Sequence, residues 1–156
     1  VTEHETTRIV AWTVELRRVH SSLREAVRVT REALEEDPRD PSSARDLQLY
    51  CRGFCVALGE HHRAEDRTLF PAIEAAHPEL APVLRNLMQD HSMIDHLLTS
   101  LSAAAESSAP REELERHLDG VTAIMESHFA YEERQLLAVL DTLGLDQDPQ
   151  VVLGAM

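Results

Sequence analysis

Four stretches of this chain repeat an apolar residue every three or four positions, a period that suits a helix with one buried face. Breakers bound them. EEDPRDPSS at 35–43, HPEL at 77–80 and SSAP at 107–110 leave segments of roughly 6–36, 43–76, 79–106 and 110–143. Ala, Leu, Glu and Arg dominate and glycines number only five, a composition that favours helix. No stretch alternates with the period of two that marks a half-buried strand. Long segments with short connections predict an all-α, up-down-up-down antiparallel four-helix bundle over residues 1–143. Residues 144–156 form a C-terminal tail, carrying DQDP, that is expected to be loosely ordered. Pro71 falls inside the second segment and is expected to kink it.

The stripes carry the chemistry. The first reads Ile9, Thr13, Leu16, His20, Leu23, Val27, Thr30, Leu34 and the second Leu47, Cys51, Phe54, Leu58, His61, Glu65, Leu69, Ile73. The third reads Leu80, Leu84, Leu87, His91, Ile94, Leu98, Leu101, Ala105 and the fourth Leu114, Leu118, Val121, Met125, His128, Glu132, Leu136, Val139. Four histidines and two glutamates therefore occupy positions assigned to the core. A buried, unpaired carboxylate costs several kcal/mol or shifts its pKa until it is neutral. Two of them, each beside core histidines, call for one shared compensating charge, and a metal cluster supplies it.

The depths of these residues agree. In antiparallel neighbours His20 lies about 16 residues before the first break and His61 about 18 after it, a height difference of about 3 Å at ~1.5 Å per residue. His61 and Glu65 match His91 across the second break, and His91 matches His128 across the third. The two halves also resemble each other. VHSSL (19–23) aligns with DHSMI (90–94), and EHHRAEDRTLF (60–70) with SHFAYEERQLL (127–137). His20 then corresponds to His91, His61 to His128 and Glu65 to Glu132. A pseudo-twofold bundle gives each of two metals a histidine pair and sets both glutamates between them, where each can bridge. Imidazole with carboxylate suits iron, manganese or zinc. A closed zinc site more often uses cysteine, and neither Cys51 nor Cys55 lies at this level.

HHRAEDRTLFP (61–71) and HFAYEE (128–133) resemble the paired H-x-x-x-E motifs of hemerythrin-like HHE cation-binding domains, and His20 and His91 match the isolated histidines of the other two helices. The resemblance spans about residues 10 to 143. It implies His20, His61, Glu65, His91, His128 and Glu132 as ligands and two iron ions as the cofactor, with manganese or zinc less expected. The partner it implies is a small molecule: oxygen, peroxide or nitric oxide. Oxygen-carrying hemerythrins use five histidines and two carboxylates, with a second histidine four residues past the third-helix ligand. Here that place is Asp95, which can ligate, bind a metal-bound water or face solvent. Fewer histidines and more open positions favour reaction with oxygen, peroxide or nitric oxide over reversible carriage. Two expectations follow: a di-iron oxidoreductase, or a non-catalytic sensor or carrier of oxygen, nitric oxide or iron.

Charge narrows the partners. With 28 acidic against 15 basic residues the net charge is −13, which argues against nucleic acid. No apolar run approaches the ~20 residues needed to span a bilayer. VTEHETTRIV lacks the basic and apolar regions of a signal peptide, and a cytoplasmic location is expected. Cys51 and Cys55 are neighbours on one helical face; core and flank packing is the expected role and a redox pair the alternative. His62 stands beside the stripe, as flank packing or a contact to a ligand. His96 and His117 should face outward, with His4 near an end and His77 at a helix terminus. Asp66 and Glu133 are expected at the surface or supporting ligands, and Trp12, Tyr50 and Tyr131 in flank packing.

Overall fold

A computed structural model describes the backbone of residues 3–154 and the side chains of residues 12–154. Among the described residues there are helices and turns and no strand. Helix α1 spans Glu3–Glu35, α2 Pro41–Ala64, α4 Ala81–Glu106 and α5 Arg111–Leu140; between α2 and α4 lie a π-helical turn at Glu65–Leu69, a short α3 at Phe70–Ala76 and a 3-10 turn at Pro78–Leu80. A last helix, α6, covers Pro149–Leu153.

The ends of the long helices follow from local chemistry. α1 stops where Asp37 precedes Pro38, a step that disfavours helical backbone. The Asp40 carboxylate accepts from the Ser42 N–H at 3.0 Å and Pro41 fills the first turn of α2, a cap and a first-turn residue that both suit a helix start. α4 closes with Ser108 at φ 56° and an Ala109 N–H to Ala104 carbonyl bond of 3.0 Å, the wrapped-back ending that satisfies last-turn carbonyls. Arg111, at the start of α5, donates to the Leu34 carbonyl and, at 3.0 Å, to Ser43 Oγ. It thereby ties three helix ends together and covers a carbonyl that the end of α1 leaves without an intrahelical partner.

α1 packs against α2 and α5, and α4 packs against α2 and α5, so each long helix turns its stripe towards one shared core. Within the described side chains, Thr13, Leu34, Leu80 and Val139 are half-buried and the other stripe positions are buried. Ile9 lies outside the described side chains.

Two features differ from expectation. The second segment does not simply bend at Pro71. It widens into the π-helical turn just before it, closed by the Phe70 N–H on the Glu65 carbonyl. Pro71 has no N–H for the Arg67 carbonyl and its ring crowds that group; one extra residue per turn relieves the crowding. The tail is not loose either. Asp148 caps α6 by accepting from the Gln150 N–H at 2.9 Å, Val152, Leu153 and Gly154 are buried, and α6 packs on α1, α2 and the π-helical turn. Upstream of it, Trp12 Nε1 donates to the Leu145 carbonyl at 2.8 Å. A helix this short has too few positions to show a period, so its sequence reads as a loop. No helix among the described residues is long and apolar enough to cross a membrane.

Candidate metal centre

The stripe brings His20, His61, Glu65, His91, His128 and Glu132 into the core: His20, His61, Glu65 and Glu132 have 0% exposure, His128 2% and His91 4%. His20, His91, His128 and Glu132 lie inside their long helices and His61 and Glu65 at the junction of α2 with the π-helical turn, all on the inward-facing stripe. The structure adds a seventh donor, His62, also 4% exposed. Residues 58, 61, 62, 65 and 69 together make the broad i, i+3, i+4, i+7 face of a core helix. The readable signal for His62 was its position four after Leu58 and three before Glu65.

The donors form two groups whose ligand atoms lie within 4.8 Å of one another: His20, His61 and Glu132, and His62, Glu65, His91 and His128. The two carboxylates face both. Glu132 Oε1 is 3.2 Å from His20 Nε2 while its Oε2 is 3.2 Å from His128 Nε2. Glu65 Oε1 lies 3.5 Å from His61 Nε2 and 3.4 Å from His91 Nε2. His91 Nε2 and His128 Nε2 approach to 3.1 Å, so two imidazole edges meet at one point.

Three of the imidazoles have an acceptor at the outer ring nitrogen. His91 Nδ1 meets Asp66 Oδ1 at 2.8 Å and His128 Nδ1 meets Asp90 Oδ2 at 3.1 Å. His20 Nδ1 is 3.9 Å from Glu133 Oε1. His61 Nδ1 meets the carbonyl of Leu153 at 2.7 Å. An acceptor at Nδ1 places the proton there and leaves the Nε2 lone pair pointing inward, as a metal-binding imidazole requires. Asp66 thus supports His91, one of the two places the sequence allowed for it, whereas Glu133 lies near His20 without a hydrogen bond. Asp90 and Leu153 were not foreseen.

The inward atoms, and the outer nitrogen of His20, lack partners. Among the described residues, the buried side-chain nitrogens and oxygens without a hydrogen bond are His20 Nδ1 and Nε2, His61 Nε2, His62 Nε2, and both carboxylate oxygens of Glu65 and of Glu132. All belong to this cluster. Buried polar groups are normally satisfied, so the donor set fits a cation that the side chains themselves do not supply. Electrostatics point the same way. Burial, and then the charge of Glu132, hold the Glu65 carboxyl well above its usual range. Burial also opposes charge on Glu132, but the imidazoles of His128 and His20 outweigh it and hold that carboxyl well below its usual range. Burial presses the imidazole of His61 down to about 3 and that of His62 well below its ordinary value. Burial opposes charge on His128 as well, yet its contact with Glu132 leaves its pKa raised. Two neutral imidazoles and one ionised carboxylate are already in the protonation state that ligation needs.

Other candidates fall outside the cluster. Asp95 is exposed and lines a cavity of about 200 Å³ with Gly59, His62, Arg63, Asp66, His91, Ser92 and Leu98. His96 is exposed; His117 is half-buried, 3.8 Å from Glu113, and His77 pairs with Glu79 at 3.3 Å. His4 lies outside the described side chains. Trp12 is buried, Tyr50 exposed, and Tyr131 lies under the Arg134 guanidinium. Cys51 and Cys55 are free thiols raised to about 11, chiefly by burial, and protonated thiols of this kind are inert packing groups.

The fold and the His/Glu cluster define a helical domain built to hold a cation. The family model described as hemerythrin HHE cation binding domain matches residues 13–140, and the chain belongs to that family. Comparison with curated proteins and with solved structures finds no match.

Proposed function

We propose that this chain is a non-haem di-iron protein whose four long helices form an up-down-up-down bundle around a dinuclear centre, and that it reacts there with oxygen, peroxide or nitric oxide. One observation carries the reading: the buried donor atoms without hydrogen-bond partners gather in a single cluster and divide into two groups with a carboxylate facing both. His20 and His61 would hold one ion, His62, His91 and His128 the other, and Glu65 and Glu132 would bridge. When bound, two irons supply one-electron redox change and vacant positions for small ligands.

The protein's own residues set the terms of that chemistry. Asp66, Asp90 and the Leu153 carbonyl orient three of the imidazoles, and the apolar stripes above and below the cluster exclude bulk water. His62 and His91 are the slightly exposed donors that border the 200 Å³ cavity, and its polar lining of Ser92, Asp66 and Asp95 suits a small polar reactant.

A second reading, a non-catalytic carrier or sensor of oxygen or nitric oxide, is favoured by His62. It raises the count to five imidazoles and two carboxylates, the number used by the oxygen carriers, although the fifth comes from the second helix and not from Asp95. Metal analysis with an absorption spectrum before and after hydrogen peroxide tests both. Two irons per chain with rapid peroxide consumption supports the redox enzyme. Two irons with a stable, reversible oxygen adduct supports the carrier or sensor. A folded chain that refuses iron defeats both.

A further inference from the structure

We propose that the C-terminal helix α6 is a positioning element of the metal centre. Through the Leu153 carbonyl it fixes the ring of His61, so that within the group of His20, His61 and Glu132 the orientation of this imidazole depends on the tail. This inference rests on the dinuclear reading above.

The internal repeat breaks at the support of one histidine. Asp66, which follows Glu65, reaches His91 of the other half, and Glu133, which follows Glu132, reaches towards His20. The two carboxylates are related by the pseudo-twofold, and only Asp66 lies within hydrogen-bond distance of its histidine. His128 is supported by Asp90, the residue before His91. The repeat puts Val19 in the corresponding place for His61, and Val19 is a fully buried apolar residue. The first half therefore lacks a carboxylate for this imidazole, and the Leu153 carbonyl, at 2.7 Å from Nδ1, takes that place.

The carbonyl is held in register. Leu153 is 1% and Val152 0% exposed. Gly154 follows at φ +92°, a conformation that side-chain-bearing residues rarely adopt, and a Cβ there would stand 3.1 Å from both N and Cα of His61. Only a bare glycine lets the tail backbone lie this close to α2. By accepting the Nδ1 proton, the carbonyl selects the tautomer whose Nε2 lone pair faces the metal position. Without it, the His61 ring is free to turn and its fully buried surroundings are opened to water. The rings of His91 and His128 are held by Asp66 and Asp90 instead.

The test uses the full chain, a chain ending at Gln147, and full-length Gly154→Val, with the exposed Val151→Ser as a control. After loading with ferrous iron, metal per chain and its release to a chelator are measured, with circular dichroism to check helicity. The expected result is two irons for the full chain and the control, and about one for the shortened chain and for Gly154→Val. In metal-free full-length protein, nitrogen NMR is expected to show His61 protonated at Nδ1. Two irons in folded Gly154→Val, released at the unaltered rate, overturns the proposal. So does an Nε2-protonated His61 in the full chain, a readout that remains even where both variants fail to fold. A full chain that binds no second iron counts against the dinuclear reading itself, whereas two irons in full chain and variants alike count against the role of α6 alone.

Discussion

His62 lies flat against His91, with ring centroids 3.9 Å apart and planes 11° from parallel. Phe129, its counterpart in the internal repeat, lies in the same way against His20 at 3.8 Å and 7°. One scaffold position thus carries a stacking ring in both halves, and in the first half that ring also bears a donor nitrogen. The two halves of the cluster are alike in shape and unequal in chemistry.

His62→Phe makes the halves alike and keeps the stack. The variant is expected to fold with unchanged helicity, and to release iron from one position at least about tenfold faster, by analogy with the loss of a ligand-supporting group. Chelator competition against the unsubstituted protein measures it. Unchanged release and an unchanged absorption spectrum would show that His62 is only a packing ring.

Glu65→Leu removes a buried carboxyl that has no hydrogen-bond partner and replaces it with an apolar side chain of similar size. Leaving a buried polar group without a hydrogen-bond partner costs roughly 1–3 kcal/mol, which the apolar side chain avoids. The metal-free variant is therefore expected to melt several degrees above metal-free parent protein, while losing one metal or more per chain. Full retention of both metals would remove Glu65 from its bridging role.

Acidification should destabilise the metal-free protein. His61 and His62 have lowered pKa values in the fold, so below the ordinary 6.5, and for His61 down to about 3, the unfolded chain binds more protons at these sites and stability falls as pH falls. Glu132, also lowered, loses its contribution as pH drops through its folded value. His128 and Glu65 are raised and act in the opposite sense; Glu132 titrates only below its ordinary 4.5, so between pH 7.5 and pH 5 the two deeply lowered imidazoles of His61 and His62 stand against those two groups and are expected to prevail. Melting curves at pH 7.5 and pH 5 are expected to show the lower midpoint at pH 5; a higher one would mean that Glu65 and His128 dominate.

Asp90→Asn and Asp66→Asn keep an acceptor but remove its charge beside His128 and His91. Such changes typically lower metal affinity 10–100-fold. Each variant is expected to bind iron that much more weakly with little change in melting temperature when metal-free. An affinity equal to the parent's would assign both carboxylates to the surface.

Period and composition determined much of this protein. The 3–4 spacing is a consequence of local backbone geometry, so the four long helices and the inward direction of His20, His61, Glu65, His91, His128 and Glu132 could be read from the order of residues. The internal repeat likewise paired His20 with His91 and Glu65 with Glu132, and the structure keeps that pairing. Tertiary structure decided what a local pattern cannot encode. His62 is adjacent to His61 and sits on the edge of the stripe; only the packing of α2 against α4 and the π-helical turn make that edge a buried one. Asp90 points at His128 across a helix interface. The support for His61 comes from a backbone carbonyl 92 residues away. Every residue carries a carbonyl, so no side-chain signal distinguishes Leu153, and a five-residue helix has too few turns to announce itself. Its role is set by where the chain returns, and by a glycine small enough to let it lie against α2.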